Sequence, residues 1–195
     1  MLSIVSPLDS IAQSPEHLAV QSQTGCRDSF ELLVEHFEKR IFNFLLRLVG
    51  NPHDAEDIAQ ETFVSAYQSL ARYNPSCGFS TWLFTIAKRC AVNHLRKVRR
   101  NELAPTHNDT PQPEAVDLED PSVVLESKDR NHSIWDLART LPTKQQEALW
   151  LHYGEGFSVA ETAQIMGTNQ IYVKVLLHRG RTRLGKLLGS NPNHQ

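Results

Sequence analysis

Apolar residues recur at helical spacing over most of this chain, and no stretch alternates in the manner of a strand series. Phe30, Leu33, Phe37, Ile41, Phe44 and Leu48 share one face of a helix predicted from about Asp28 to Val49. Gly50 ends that helix. Asn51 is placed to cap the next one, with Pro52 at its first position, where a missing N–H costs little. Ala55, Ile58, Ala59, Thr62, Phe63, Ala66, Tyr67 and Leu70 form its apolar face, and Asp54, Glu56 and Asp57 lie in its first turn, where the helix dipole favours negative charge. Asn74, Pro75 and Gly78 make Tyr73–Phe79 a loop. A third helix is predicted from about Ser80 to Arg100, with Trp82, Leu83, Ile86, Ala87, Cys90, Ala91, Leu95 and Val98 inward. Three such helices bury a common core.

The pattern lapses from Asn101 to about His132, where Pro105, Pro111, Pro113 and Pro121 sit among acids; this composition predicts an extended, solvated linker. It resumes near Ser133 with Ile134, Leu137, Ala138 and Leu141. Pro142 opens a helix that runs through Ala148, Leu149 and Leu151 until Gly154 and Gly156 break it. Ser158 and Glu161 are spaced as a capping box for a short helix ending at Gly167, whose backbone freedom suits a tight turn. The helix beyond has an apolar side of Val173, Leu176 and Leu177, and it carries Lys174, Arg179, Arg181, Arg183 and Lys186. That is a helix-turn-helix whose second helix suits the major groove of DNA. The expected fold is all-α: a flexible extension over 1–27, a helical domain over 28–100, a flexible acidic linker over 101–132, a helix-turn-helix domain over 133–189 and a tail over 190–195.

Charge sharpens this picture. The net charge of the 195 residues is only −2, yet the cations and acids are segregated. Lys88, Arg89, Arg96, Lys97, Arg99 and Arg100 form one basic block, and no acid occurs from Gln170 to Gln195. Acids gather at Asp54–Glu61 and again from Glu102 to Asp129. Three scattered cysteines, Cys26, Cys77 and Cys90, fit neither a disulfide framework nor a metal site and suit a reducing cytoplasm. No run of about 18 apolar residues is present, so membrane insertion is not expected.

The chemistry these residues permit is recognition. Arg89, Asn93, Arg96 and Arg100 make a stripe that can follow a phosphate backbone. Tyr73, Phe79, Trp82 and Phe84 stand just before it, and aromatics beside a basic helix can hold unstacked bases. Trp82 and Phe84 have an equal claim to the core by their helical spacing; Tyr73, in the loop, is the better stacking candidate. The exposed face of Glu56, Asp57, Gln60 and Glu61 is either simply solvated or a docking surface for a basic protein. The histidines are dispersed, with no metal or catalytic constellation, so no enzyme, cofactor or metal is expected.

Two sets of motifs carry a family resemblance. Asp54-Ala55-Glu56-Asp57-Ile58-Ala59-Gln60-Glu61-Thr62-Phe63, then Phe79-Ser80-Thr81-Trp82-Leu83 and Ile86-Ala87, resemble the first conserved domain of bacterial sigma factors of the extracytoplasmic-function (ECF) group. Leu141-Pro142, Gly154-Glu155-Gly156-Phe157-Ser158, Glu161-Thr162-Ala163, Val173-Lys174 and Leu177-His178-Arg179-Gly180-Arg181 resemble the second. The resemblance implies that Asp54, Glu56, Asp57, Gln60 and Glu61 grip core RNA polymerase. It implies that Tyr73 and Trp82 take a flipped base of the melted non-template strand at the minus-ten element, with Arg89, Asn93, Arg96 and Arg100 along that strand. It gives Gln170, Tyr172, Lys174, Val175, His178 and Arg179 to the duplex at the minus-thirty-five element, and it adds an anti-sigma protein as a further partner. The chain departs from the family at Val175-Leu176, where a Ser-Arg pair is usual, so reading there becomes apolar or shifts to Gln170 and Tyr172. Arg89 replaces a frequent asparagine, and Gly180 replaces a common alanine at a cost of up to about 1 kcal/mol.

Two other readings compete with a sigma factor. One is a helix-turn-helix regulator that binds duplex DNA as a dimer without loading polymerase. The other is an adaptor that binds polymerase but reads no promoter.

Overall fold

The computed structural model describes residues 14–103 and 134–189. The first body is built from α1 (Pro15–Gln23), α2 (Arg27–Val49), α3 (Pro52–Ser69), a 3-10 turn (Leu70–Arg72) and α4 (Phe79–Leu103). Gly50, at φ 76°, ends α2 and donates its N–H to Leu46 O, while Asn51 Oδ1 accepts from His53 N at 2.9 Å to start α3. The core is that of the periodic faces: Leu33, Phe37, Ile41, Phe44, Ala55, Ile58, Leu83 and Ala87 are essentially inaccessible. Phe79 and Phe84 join them, and each such side chain contributes about 1.5–3 kcal/mol through burial. Leu95 and Val98, expected to face inward, are 43% and 38% exposed. The helical period continues past the point where α2 and α3 can cover it.

The second body contains a helical turn over 134–138, α5 (Thr143–Leu149), a π-helical turn (Trp150–Gly154), α6 (Val159–Met166) and α7 (Gln170–Gly189). The wide turn is visible in Glu155 N donating to Trp150 O at 2.9 Å, five residues back. A Cβ on Gly154 would fall 2.7 Å from the Trp150 ring, so no larger residue fits beneath that indole. The capping box of Ser158 and Glu161 is formed, and Gly167, at φ 64°, closes α6. Leu141, Ala148, Leu149, Ala163, Val173, Leu176 and Leu177 make the core of this body.

The two bodies pack against each other. Leu151, Phe157 and Ile165 of the second enter the core of the first, where the Phe157 and Phe84 rings meet at 5.0 Å. Lys88 Nζ lies 2.6 Å from Glu147 Oε1, whose side chain is 4% exposed, and Arg40 Nε donates to Glu155 Oε2 at 2.9 Å. The Arg47 guanidinium sits 3.6 Å from the centre of the Trp150 ring. Burial, and then the charge of Arg139, lowers the pKa of Arg47 from its ordinary value. The acidic linker expected to join the two bodies lies outside the described residues.

The flexible extension expected over 1–27 contains α1. Ser14 caps it, accepting from His17 N at 3.2 Å, and Pro15 occupies its first turn. Gln23 Nε2 donates to Leu70 O at 2.8 Å and to Tyr73 O at 2.9 Å, and Glu16 Oε1 accepts from Phe79 N at 3.0 Å. The helix is held both by these polar bonds to backbone groups and by Ala19, which is fully buried in the core, with Leu18 packed against it.

Candidate functional site

The expected site residues fall in three places. The first is the outer side of α3. Glu56, Asp57, Gln60 and Glu61 are exposed there, because Ala55, Ile58, Thr62 and Ala66 claim the opposite side. Glu56 and Gln60 rim an open groove between α2 and α3 whose lining includes Val34, Phe42, Ala59 and Phe63. Asp54 stands apart from this row: it is half-buried, 3.5 Å from His94 Nε2 on α4. Val64 and Tyr67, 56% and 47% exposed, add apolar surface on the same helix. The carboxylate row was legible in the sequence; the groove beside it was not, since it depends on how α2 and α3 cross.

The second place is the start of α4. Arg89, Asn93, Arg96 and Arg100 are exposed along its outer side. Tyr73 does not stand free in its loop as expected. It is 4% exposed, its hydroxyl donates to Cys77 O at 2.8 Å, and its ring packs 5.1 Å from Trp82 and 5.5 Å from Phe79. Burial, then the charge of Glu16, then that of Cys77, pushes its phenol up to about 12. Phe84 is fully buried and belongs to the core, whereas Trp82 is half-buried. The loop is clasped from both sides. α1 holds the backbone of Tyr73 and Phe79, while from α6 Glu161 Oε1 accepts from Thr81 Oγ1 at 3.1 Å and Gln164 Nε2 lies 3.3 Å from Cys77 Sγ. Sequence reasoning missed Glu16, Gln23, Glu161 and Gln164 here because these contacts span 50 to 87 residues.

The third place is α7. Asn169 Oδ1 accepts from Tyr172 N at 2.8 Å and so starts the helix. Gln170, Tyr172, Lys174, Val175, His178 and Arg179 are all exposed. Leu176 is 4% exposed and faces the core; Val175, its neighbour, is 36% exposed. Gly180 is explained by α5: a Cβ there would lie 2.9 Å from Leu149 Cδ1, so the glycine lets the two helices approach. Ile171, which sequence reasoning passed over, is 77% exposed.

Comparison with known proteins decides between the readings. The family model for Sigma-70 region 2 matches residues 33–101, and that for Sigma-70, region 4 matches residues 131–184. The ECF RNA polymerase sigma factor SigW of Bacillus subtilis (strain 168) is 32% identical over 174 residues, covering 86% of this chain and 93% of SigW. The chain belongs to the ECF group of sigma factors. The RNA polymerase sigma factor CarQ of Myxococcus xanthus is 35% identical over 167 residues, covering 85% of this chain and 92% of CarQ. The sigma factor RpoE in its co-crystal with the anti-sigma factor NepR from Bartonella quintana shares the fold, with a TM-score of 0.64 at 22% identity over 83% of this chain and 98% of that one. This sigma factor is thus a transcription initiation factor that binds core RNA polymerase and directs promoter recognition. A regulator acting without polymerase is not favoured by matches that run through both domains. No helix among the described residues is long and apolar enough to cross a membrane.

Proposed function

We propose that this sigma factor docks on core polymerase through the outer side of α3 and meets promoter DNA through α4 and α7. The observation that carries the docking assignment is the exposed row Glu56, Asp57, Gln60 and Glu61 beside an open apolar groove. Carboxylates at the rim steer a basic partner, and Val34, Phe42 and Phe63 offer apolar area for it to cover. Asp54, turned toward His94, serves the fold more than the interface.

At the minus-ten element, Arg89, Asn93, Arg96 and Arg100 carry the strand along α4, and half-buried Trp82, joined by Tyr73 once the clasp on its loop opens, forms the wall against which a flipped base stacks. At the minus-thirty-five element, Gln170, Tyr172, Lys174, Val175, His178 and Arg179 enter the major groove. The chemistry of nucleotide addition belongs to the polymerase, and the factor itself has no catalytic or metal-binding group in this reading. It acts in the cytoplasm, with an anti-sigma protein as a further partner.

Charge reversal at Asp57 and Glu61 tests the docking surface. The double variant Asp57→Lys, Glu61→Lys is expected to fold normally, since both residues are exposed, and to lose co-purification with core polymerase. Normal yield of the complex would refute the assignment.

A further inference from the structure

The recognition helix has an unusual centre. Its buried side is Val173, Leu176, Leu177 and Gly180. At 3.6 residues per turn, the residues directly opposite are Ile171, Val175 and His178, all exposed. Ile171 is the most exposed large apolar residue among the described ones, at 77%, and it stands in the first turn, the part of such a helix that reaches base edges. Lys174 lies on one side of this line and Arg179 on the other. Tyr172 is steadied by Lys144 Nζ, 5.8 Å from its ring centre.

An isolated pair of branched aliphatic side chains among cations, on a segment without a single acid, is set to meet a polyanion that offers apolar groups at matching depth. In the major groove of DNA that group is the thymine 5-methyl, the one alkyl group on the edges of the four bases. We infer that Ile171 and Val175 read thymine methyl groups in the upstream promoter element, while Lys174 and Arg179 hold the flanking phosphates. Val175 stands where the family usually has a serine and Leu176 where it usually has an arginine. Since Leu176 is turned into the core, the apolar reading passes to Val175 and to Ile171, one turn earlier. The inference rests on the assignment of α7 to the minus-thirty-five element.

The test uses the full chain assembled with core polymerase. Duplexes retained from a randomised pool define the upstream element, and each thymine in it is then replaced by deoxyuridine, which removes only the methyl. Loss of affinity of about fourfold is expected at one or two adjacent thymines, the factor for one buried methyl-sized group. The same replacement is expected to change nothing when the factor carries Ile171→Ala or Val175→Ala, whichever side chain faces that methyl. Both positions are exposed, so the variants fold. If the enriched upstream element tolerates deoxyuridine throughout, or if the variants lose as much as the native factor, the methyl reading is wrong and the placement of α7 still stands. If no upstream element is enriched, the placement of α7 fails and the methyl reading fails with it.

Discussion

At the start of α4, the aromatic cluster of Tyr73, Phe79 and Trp82 is held by other parts of the same chain, whereas on α7 the side carrying Ile171, Lys174, Val175 and His178 is open to solvent. The difference follows from how α6 is used. Ala163 faces the core of its own body while Ile165 enters that of the first, so this short helix is claimed from two sides. The helix-turn-helix thus spends its first helix on the domain contact and leaves its second free. In this arrangement the side of α7 that we propose reads the upstream element is open, and the aromatic cluster that we propose stacks a base is folded away, with Tyr73 buried. The domain contact and the clasp of α1 are the two things that keep it so.

The largest effect on this asymmetry is expected from Lys88→Ala. Glu147, with its side chain 4% exposed, would be left as a buried carboxylate without its cation. Breaking such a pair costs about 3 kcal/mol, the low end of the usual range, because Lys88 itself keeps some contact with water. The expected result is a shift toward separated bodies. Trp135 and Trp150, which pack on each other and against Arg47, would then be wetted. A red-shifted tryptophan emission and a larger radius of gyration in solution scattering are the expected readouts. Unchanged values for both would show that the remaining contacts, Phe84 with Phe157 and Arg40 with Glu155 among them, hold the closed form without Lys88.

The open side depends on α7 being seated correctly, and two glycines test that seat with opposite signs. Gly180→Ala gains helix propensity but drives a methyl to 2.9 Å from Leu149, and the net effect is expected to be a loss of about 1–2 kcal/mol. Gly185→Ala meets nothing within 4 Å and is expected to gain somewhat under 1 kcal/mol. Denaturant unfolding of both variants separates a glycine kept for packing from one that is merely tolerated.

The sequence made the secondary structure legible because each helix is local: periodic faces, the caps Asn51 and Ser158, and the terminators Gly50 and Gly167 are all read within a few residues. The carboxylate row on α3 and the cations of α4 and α7 were legible for the same reason. The burial of Tyr73 was not legible because a loop residue is ordinarily exposed, and its ring is covered only by the way the loop folds back on Phe79 and Trp82, with Gln23 of α1 fixing its backbone from 50 residues earlier. α1 itself was hidden, since it buries only Ala19 and Ser22 and is otherwise tied by side-chain bonds to distant backbone groups, which leave no periodic trace. Ile171 was passed over because an aliphatic residue in a helix is taken for core until the orientation of the helix is known.

Tyr73→Phe probes the clasped side at closer range. The phenol donates to Cys77 O, and losing that bond is expected to cost about 1 kcal/mol near neutral pH. The pKa of Tyr73 is raised from 10.0 to about 12, so the folded state keeps the neutral phenol. The associated stability is intact below pH 10.0 and is lost as pH rises toward about 12. An ultraviolet titration of the native protein should show a phenolate step near 12 that is absent from the variant. Its persistence in Tyr73→Phe would mean that another tyrosine carries the shift.

The smallest expected effect joins the two sides at one carboxylate. Glu161 accepts from Ser158 N at 2.9 Å within its own capping box and from Thr81 Oγ1 at 3.1 Å across the domain contact. Its pKa is lowered, first by the side-chain bond with Ser158, then by the backbone bond, with Thr81 adding to them against a burial effect of opposite sign. A lowered carboxylate pKa stabilises the folded state above the ordinary glutamate range, and that stabilisation fades as pH falls through the folded-state value. Acid therefore weakens the start of α6 and its hold on α4 together. Glu161→Gln keeps the shape without the charge, so its melting temperature should fall less than that of the native protein between neutral pH and about pH 3. Parallel curves would mean that Glu161 holds the cap by shape alone and does not link acid to the clasp on the aromatic loop.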